Sequence, residues 1–221
     1  MAPPIPPVAV LFDNDGLLLD TESVWTRGQE ALFQSRGIEF TLEHKQEQVG
    51  QSAENSGLIM ERRLGEPGNA VELIGELNTL VLAELERGVQ PMTGSLDLLA
   101  ALRESGMPLG LVSNSPRLFI DRALEKAGLM NSFDVTLSAH DVAAPKPAPD
   151  PYIEACVLLG VKPADAIALE DSPTGVASAR AAGLTVIGVP SIPGIELPEA
   201  HHVAQSLADP LVTELLGLNQ R

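Results

Sequence analysis

The sequence predicts an α/β fold: a parallel sheet with helices on both faces, and a small helical domain inserted behind its first strand. Two observations predict the sheet. Short apolar runs rich in strand formers alternate with helical segments after Gly94, and each run reads as a strand buried on both faces. Alternation of this kind implies parallel strands joined by helical crossovers. The third observation predicts the insertion, because the first apolar run ends at Phe12 and the next begins at Leu109. One crossover helix needs far less chain than that.

The first strand is Val8-Ala9-Val10-Leu11-Phe12, and it stops abruptly at Asp13-Asn14-Asp15-Gly16. Helical segments of mixed charge follow over residues 23–36, 53–64 and 70–87, with no convincing strand among them. A helix over 95–105 then leads to the strand Leu109-Gly110-Leu111-Val112, and a helix over 116–127 is ended by Gly128. Val135-Thr136-Leu137 is a strand, 150–160 a helix, Ala166-Ile167-Ala168-Leu169 a strand, 174–182 a helix and Thr185-Val186-Ile187-Gly188-Val189 a strand. The α/β core therefore comprises residues 1–20 and 89–221, and the inserted helical domain residues 21–88. Met1-Ala2-Pro3-Pro4-Ile5-Pro6-Pro7 reads as a short, poorly ordered tail.

Apolar residues make up 44% of the 221 residues but aromatics only 3%, so the core is built from Leu, Val, Ala and Ile. A formal charge of −16, from 30 acidic and 14 basic residues, argues against nucleic acid and anionic lipid as partners. It leaves room for a small phosphorylated ligand, because a bound cation and a few placed basic groups reverse the local potential. The single cysteine, Cys156, excludes an internal disulfide and sits on an apolar helix face, as a buried structural thiol does. The N-terminus lacks the basic start and apolar run of a signal peptide, and no apolar stretch is long enough to span a bilayer. A cytoplasmic protein, monomeric by default, is expected.

In an open parallel sheet, ligands bind outside the carboxyl ends of the strands, so the residues leaving each strand carry the information. The first strand delivers Asp13 and Asp15, the second Ser113 and Asn114, the third leads through His140 to Lys146, and the fourth delivers Glu170 and Asp171. Carboxylates gathered at one edge repel one another unless they are protonated or hold a hard cation, and oxygen ligands suit Mg²⁺. A nucleophile, a cation on the non-bridging oxygens, further donors and an acid for the leaving group are the parts phosphoryl transfer needs. The four histidines, His44, His140, His201 and His202, show no metal-ligand spacing.

Leu11-Phe12-Asp13-Asn14-Asp15-Gly16, Ser113-Asn114, Pro145-Lys146-Pro147 and Glu170-Asp171-Ser172 resemble, in order, the four motifs of the haloacid dehalogenase superfamily. Asp20-Thr21-Glu22, Lys146-Pro147-Ala148-Pro149-Asp150-Pro151 and Glu170-Asp171-Ser172-Pro173-Thr174-Gly175-Val176 are similar to its beta-phosphoglucomutase-like branch, in which a helical cap separates the first two motifs. The resemblance implies a Mg²⁺-dependent phosphatase acting on a small phosphorylated metabolite, at branch level a sugar or polyol phosphate. It implies Asp13 as the covalent nucleophile and Asp15 as the acid and base. Ser113, Asn114 and Lys146 would hold the phosphoryl oxygens. Asp13 and Asp171 would bind the metal directly, Asp15 through its backbone carbonyl, and Glu170 directly or through water. Cap residues Trp25, Arg27, Gln51 and Asn55 are candidates for substrate selection.

The same resemblance supplies the competing readings. Beta-phosphoglucomutases carry a cap histidine where this chain has Trp25, and a Lys-Gly-x-x-Arg-like stretch where it has Val49-Gly50-Gln51-Ser52-Ala53, so the residues that grip a second phosphate are missing. A dehalogenase has no need of Asp15. A phosphonate hydrolase needs a cap lysine, for which Lys45 is the one candidate. A non-catalytic phosphoryl-binding protein on the same fold is the reading from another class, and turnover of a generic phosphomonoester with Mg²⁺ separates it from an enzyme.

Overall fold

β1 (Ala9–Phe12) is the inner strand around which the sheet is assembled, in a computed structural model that describes residues 6–48, 51, 53–192 and 194–218. Its residues are buried throughout, as a strand covered on both faces requires. Residues 1–5, most of the proline-rich start, lie outside the described residues. By contact the chain divides into two units, one formed by Met1–Asp20 with Gln90–Arg221 and the other by Thr21–Val89.

The first unit holds the sheet, whose strand order is β3-β2-β1-β4-β5-β6 with every neighbour parallel. Its strands are β2 (Leu109–Val112), β3 (Val135–Leu137), β4 (Ala166–Glu170), β5 (Thr185–Gly188) and β6 (His202–Val203). The order runs outward from β1 in both directions, so the topological switch point falls between β1 and β4. Their register pairs Phe12 with Leu169, which brings the residues leaving each strand side by side.

Helices α5 (Ser95–Ser105), α6 (Arg117–Lys126), α7 (Asp150–Leu159), α8 (Pro173–Ala182) and α9 (Pro210–Leu215) complete this unit. α8 starts with the Ser172 hydroxyl accepting from the Gly175 N–H at 3.1 Å and Pro173 at its first position, two standard start signals. Ala9 and Leu11 share one core with Tyr152, Ala155 and Cys156 of α7 and Val176 and Ala179 of α8. By the two-residue period of a strand, Val10 and Phe12 face the other side, where the Phe12 ring meets Phe133 edge-on at 5.8 Å.

The helical unit contains α1 (Thr21–Gln34), α2 (Leu42–Gln48), α3 (Ala53–Leu64) and α4 (Ala70–Leu85). α1 lies against α4, and Leu32, Phe33, Leu73, Leu77, Val81 and Leu85 are buried apolar residues of the pair. Ion pairs tie the exposed faces: Arg27 to Glu84 at 3.0 Å, and Arg36 to Glu66 at 2.8 Å and Glu76 at 2.6 Å. Among the described residues, no helix of either unit is long and apolar enough to cross a membrane.

Four elements depart from the sequence reading, one of them α9, a six-residue helix that was not anticipated. α2, with the sequence Leu-Glu-His-Lys-Gln-Glu-Gln, buries only Gln48 and so has no apolar period to detect. β6 is too short to stand out. β4 extends one residue further than its apolar run, so Glu170 is the strand's last residue and is fully buried.

Cys156 is 1% exposed, and burial pushes its thiol up to about 11. An aromatic disulfide reagent at about pH 8 should label it in the native protein at least about a hundredfold more slowly than in urea, because access requires opening of the sheet core. Equal rates would mean that α7 is not seated on the sheet.

Candidate active site

The switch point is built from backbone hydrogen bonds that outlast the strands. Asp13 N–H donates to Leu169 C=O at 3.0 Å, Ser113 N–H to Leu137 C=O at 3.0 Å, and Val189 N–H to Glu170 C=O at 2.7 Å. Each of these residues is therefore held as firmly as the strand it leaves, while its side chain is released from the alternating pattern. After Asp13 the chain turns back at Gly16, whose φ of 84° belongs to the left-handed region that favours glycine. Leu18 and Leu19 N–H close the turn on Asn14 C=O at 3.1 Å.

Lys146 reaches this edge from the loop after β3 and is 6% exposed. Its ammonium donates to Asp13 Oδ1 at 2.7 Å, Glu170 Oε1 at 2.6 Å and Val112 C=O at 2.8 Å, which uses all three protons. Burial disfavours the charged ammonium, but Asp13 and Glu170 more than offset that and hold its pKa above the ordinary lysine value. Asn114 fixes the loop: its Nδ2 donates to Lys146 C=O at 2.9 Å and its Oδ1 accepts from Lys146 N–H at 2.9 Å. Its side chain thus serves the lysine's backbone.

Asp15 lies beside this group, with its carboxylate turned toward hydroxyls. Oδ2 accepts from Ser113 Oγ at 2.6 Å and Ser115 Oγ at 2.9 Å, and Oδ1 accepts from Asn14 Nδ2 at 3.2 Å. Ser113 Oγ in turn accepts from Ser115 N–H at 2.9 Å, so its orientation is fixed as well.

Asp13, Glu170 and Asp171 offer ligand oxygens that all lie within 4.8 Å of one another, and all three residues are buried. Burial pushes the Asp13 carboxyl well above the usual carboxylate range; Lys146 pulls it down, while Glu170, Asp171 and Asp15 push it up. One ammonium faces three acids, and the excess negative charge needs a counter-charge. Asp13 Oδ2 and Glu170 Oε2 are buried with no hydrogen-bond partner, a costly arrangement for a protein group and a suitable one for a metal ligand. An all-oxygen set with two uncommitted carboxylate oxygens fits a hard divalent cation.

Two further side chains hold these acids. Tyr152 OH donates to Glu170 Oε1 at 2.5 Å, and Ser191 Oγ donates to Asp171 Oδ2 at 2.6 Å. Burial, followed by the charges of Glu170 and Asp13, raises the tyrosine pKa well above its ordinary value, so the phenol remains a donor. Gly175 makes the room: a Cβ at that position would overlap the Glu170 carboxylate.

Of the residues singled out in the sequence, Asp13, Lys146, Glu170 and Asp171 form one cluster, Asp15 and Ser113 a hydrogen-bonded pair, and Asn114 a clamp on Lys146. Trp25 and Arg27 are on α1 of the helical unit, Arg27 donating through Nε to Glu84, and exposed Asn55 donates to Gln51 Oε1 at 3.3 Å. Val49, Gly50 and Ser52 of the adjoining stretch lie outside the described residues. Tyr152, Ser191 and Ser115 were not anticipated. Ser115 and Ser191 carry the one available signal, since each stands shortly after a strand.

A family model described as haloacid dehalogenase-like hydrolase matches residues 10–189. Validoxylamine A 7'-phosphate phosphatase of Streptomyces hygroscopicus subsp. limoneus is 29% identical over 201 residues, 90% of this chain and 93% of that protein. Hexitol phosphatase B of Escherichia coli K12 is 28% identical over 230 residues, 100% of this chain and 98% of that protein. The crystal structure of CbbY from Rhodobacter sphaeroides in complex with phosphate superposes with a TM-score of 0.79 at 26% identity, covering 91% of this chain and 95% of that one.

The crowded acids make a stability prediction. In metal-free protein, Asp171→Asn keeps the side-chain shape and the acceptor for Ser191 but removes one repelling charge, and should raise the melting temperature by about 2–4 °C, ~1 kcal/mol. Asp13 has a raised pKa in the folded state, so its proton is lost only as pH rises through that raised value. Below it Asp13 is neutral and no longer repels Asp171, and the variant's advantage should shrink as pH falls. An advantage independent of pH, read by calorimetry, would mean that repulsion from Asp13 is not its source.

Proposed function

This chain belongs to the haloacid dehalogenase-like hydrolase family, and from that premise we propose that it is a Mg²⁺-dependent phosphatase that hydrolyses a sugar or polyol phosphate through an aspartyl phosphate on Asp13. It is a phosphoric monoester hydrolase. The observation that carries the mechanism is the convergence of Asp13, Lys146, Glu170 and Asp171 at the switch point between β1 and β4. The substrate class rests on the relative named hexitol phosphatase B.

In the first half-reaction a carboxylate oxygen of Asp13 attacks phosphorus, a P–O(Asp) bond forms, and the P–O bond to the leaving alcohol breaks. Asp15 delivers the proton that the departing alkoxide takes up. In the second, Asp15 accepts a proton from water as its oxygen attacks phosphorus, releasing phosphate and restoring Asp13. Asp13, Glu170 and Asp171 would hold Mg²⁺, which supplies positive charge to the phosphoryl oxygens. Ser113 and Lys146 donate to those oxygens; Lys146 does so by exchanging its bond to Asp13 Oδ1 once that carboxylate is esterified. Asn114 keeps the lysine in place. The helical unit Thr21–Val89 is assigned to selecting the leaving group, with Trp25, Arg27, Gln51 and Asn55 as its candidate contacts.

Asp13→Asn should fold but lose at least about a thousandfold in kcat toward an aryl phosphate with Mg²⁺ present, because the amide is not a phosphoryl acceptor. Near-normal turnover would remove Asp13 from the mechanism. Trp25→Ala and Gln51→Ala should change the relative kcat/KM among polyol phosphates by about tenfold while leaving the aryl phosphate within about twofold. A uniform loss across all substrates would move selectivity elsewhere.

A further inference from the structure

Tyr152 has no part in the reaction described above, yet it is the largest fully buried side chain among the described residues and ends on the most buried acid of the site. A tyrosine inside a core usually finds whatever acceptor is nearest. Here the acceptor is Glu170 Oε1, the oxygen that Lys146 Nζ also holds, at 2.5 and 2.6 Å respectively. Lys146 Nζ stands 5.2 Å from the Tyr152 ring centroid, so the ring face also supports the ammonium. With Oε1 engaged by two donors, the other Glu170 oxygen, Oε2, is the one without a partner. Gly175 leaves the carboxylate the space it occupies, and having no side chain it offers no donor to either oxygen.

We propose that Tyr152 is a positioning residue of the phosphoryl-transfer centre: its hydroxyl, acting with Lys146, locks the rotation of the Glu170 carboxylate so that Oε2 is presented to the metal ion. A phenol suits this task because it orients the carboxylate without bringing another charge into a cluster whose charge balance is already set by one lysine and three acids. Phenylalanine fills nearly the same core volume, so Tyr152→Phe removes the hydroxyl while keeping the packing of the ring. The proposal rests on the reading of Asp13, Glu170 and Asp171 as Mg²⁺ ligands.

The test is Mg²⁺ titration by calorimetry of the wild type, Tyr152→Phe and Tyr152→Leu, at a temperature where melting curves show all three folded, followed by kcat and KM for an aryl phosphate at saturating Mg²⁺. Tyr152→Phe should weaken Mg²⁺ binding about tenfold and lower kcat, with KM for the aryl phosphate within about twofold. Tyr152→Leu should melt at a lower temperature without a further loss of Mg²⁺ affinity. If Tyr152→Phe binds Mg²⁺ as the wild type does, whatever Tyr152→Leu does, the hydroxyl is only a core hydrogen bond and the proposal is overturned while the metal site stands. If the wild type itself binds no Mg²⁺, the metal reading falls, and the proposal with it.

Discussion

Asp13, Glu170 and Asp171 can be buried at one end of a sheet only because the Lys146 ammonium is buried with them. Each carboxylate removed from water carries a desolvation cost of several kcal/mol, which attraction to a partner recovers only when the hydrogen bonds are well made. Lys146 makes three, and two of them go to acids. Much of the surrounding structure serves to put that one nitrogen in place. Asn114 grips the lysine's backbone on both sides, the Tyr152 ring lies near its ammonium, and Val112 C=O takes the proton that the acids do not. The lysine still leaves the cluster short of positive charge, and that deficit is what makes the site receptive to a cation.

Most of the fold was readable because it rests on a period. Strands buried on both faces appear as unbroken apolar runs, and Gly106, Gly160 and Gly183 close helices in the left-handed conformation. The elements that escaped have no such signature: α2 is polar on nearly every face, and β6 is two residues long. α9 had a signal that went unread, Asp209 accepting from Leu211 N–H with Pro210 at the first helical position.

The site divides along the same line. Asp13, Asp15, Ser113, Glu170 and Asp171 stand where strands end, and a rule about strand ends finds them. Tyr152 lies in the first turn of α7, where an aromatic residue reads as core, and its burial agrees with that reading. Only the identity of its acceptor gives it a second meaning, and an acceptor is a fact of three dimensions. Glu170 shows the converse: its residue type and place in the chain marked it as a site residue, but its position inside β4, rather than after it, explains why it needs Lys146, Tyr152 and the gap at Gly175 all at once.

The charge balance of the helical unit bears on the proposal that this unit selects the leaving group. A second phosphate would need uncommitted cations, and here most cations are engaged: Arg27 and Arg87 with Glu84, Arg36 with Glu66 and Glu76, Arg63 with Glu43 and Glu47, and Lys45 with Glu22. Exposed pairs of this kind contribute little to stability, so their main consequence is electrostatic, cancelling positive charge on a chain with a formal charge of −16. Gln51, Asn55 and the Gln48 amide, which is buried with neither atom hydrogen-bonded, are neutral groups able both to donate and to accept. Groups of this kind suit the hydroxyls of the proposed polyol better than they suit a second anionic group. The same pairing argues against the mutase reading, because a helical unit whose cations are mostly paired with its own acids offers little to hold a second phosphate for phosphoryl return.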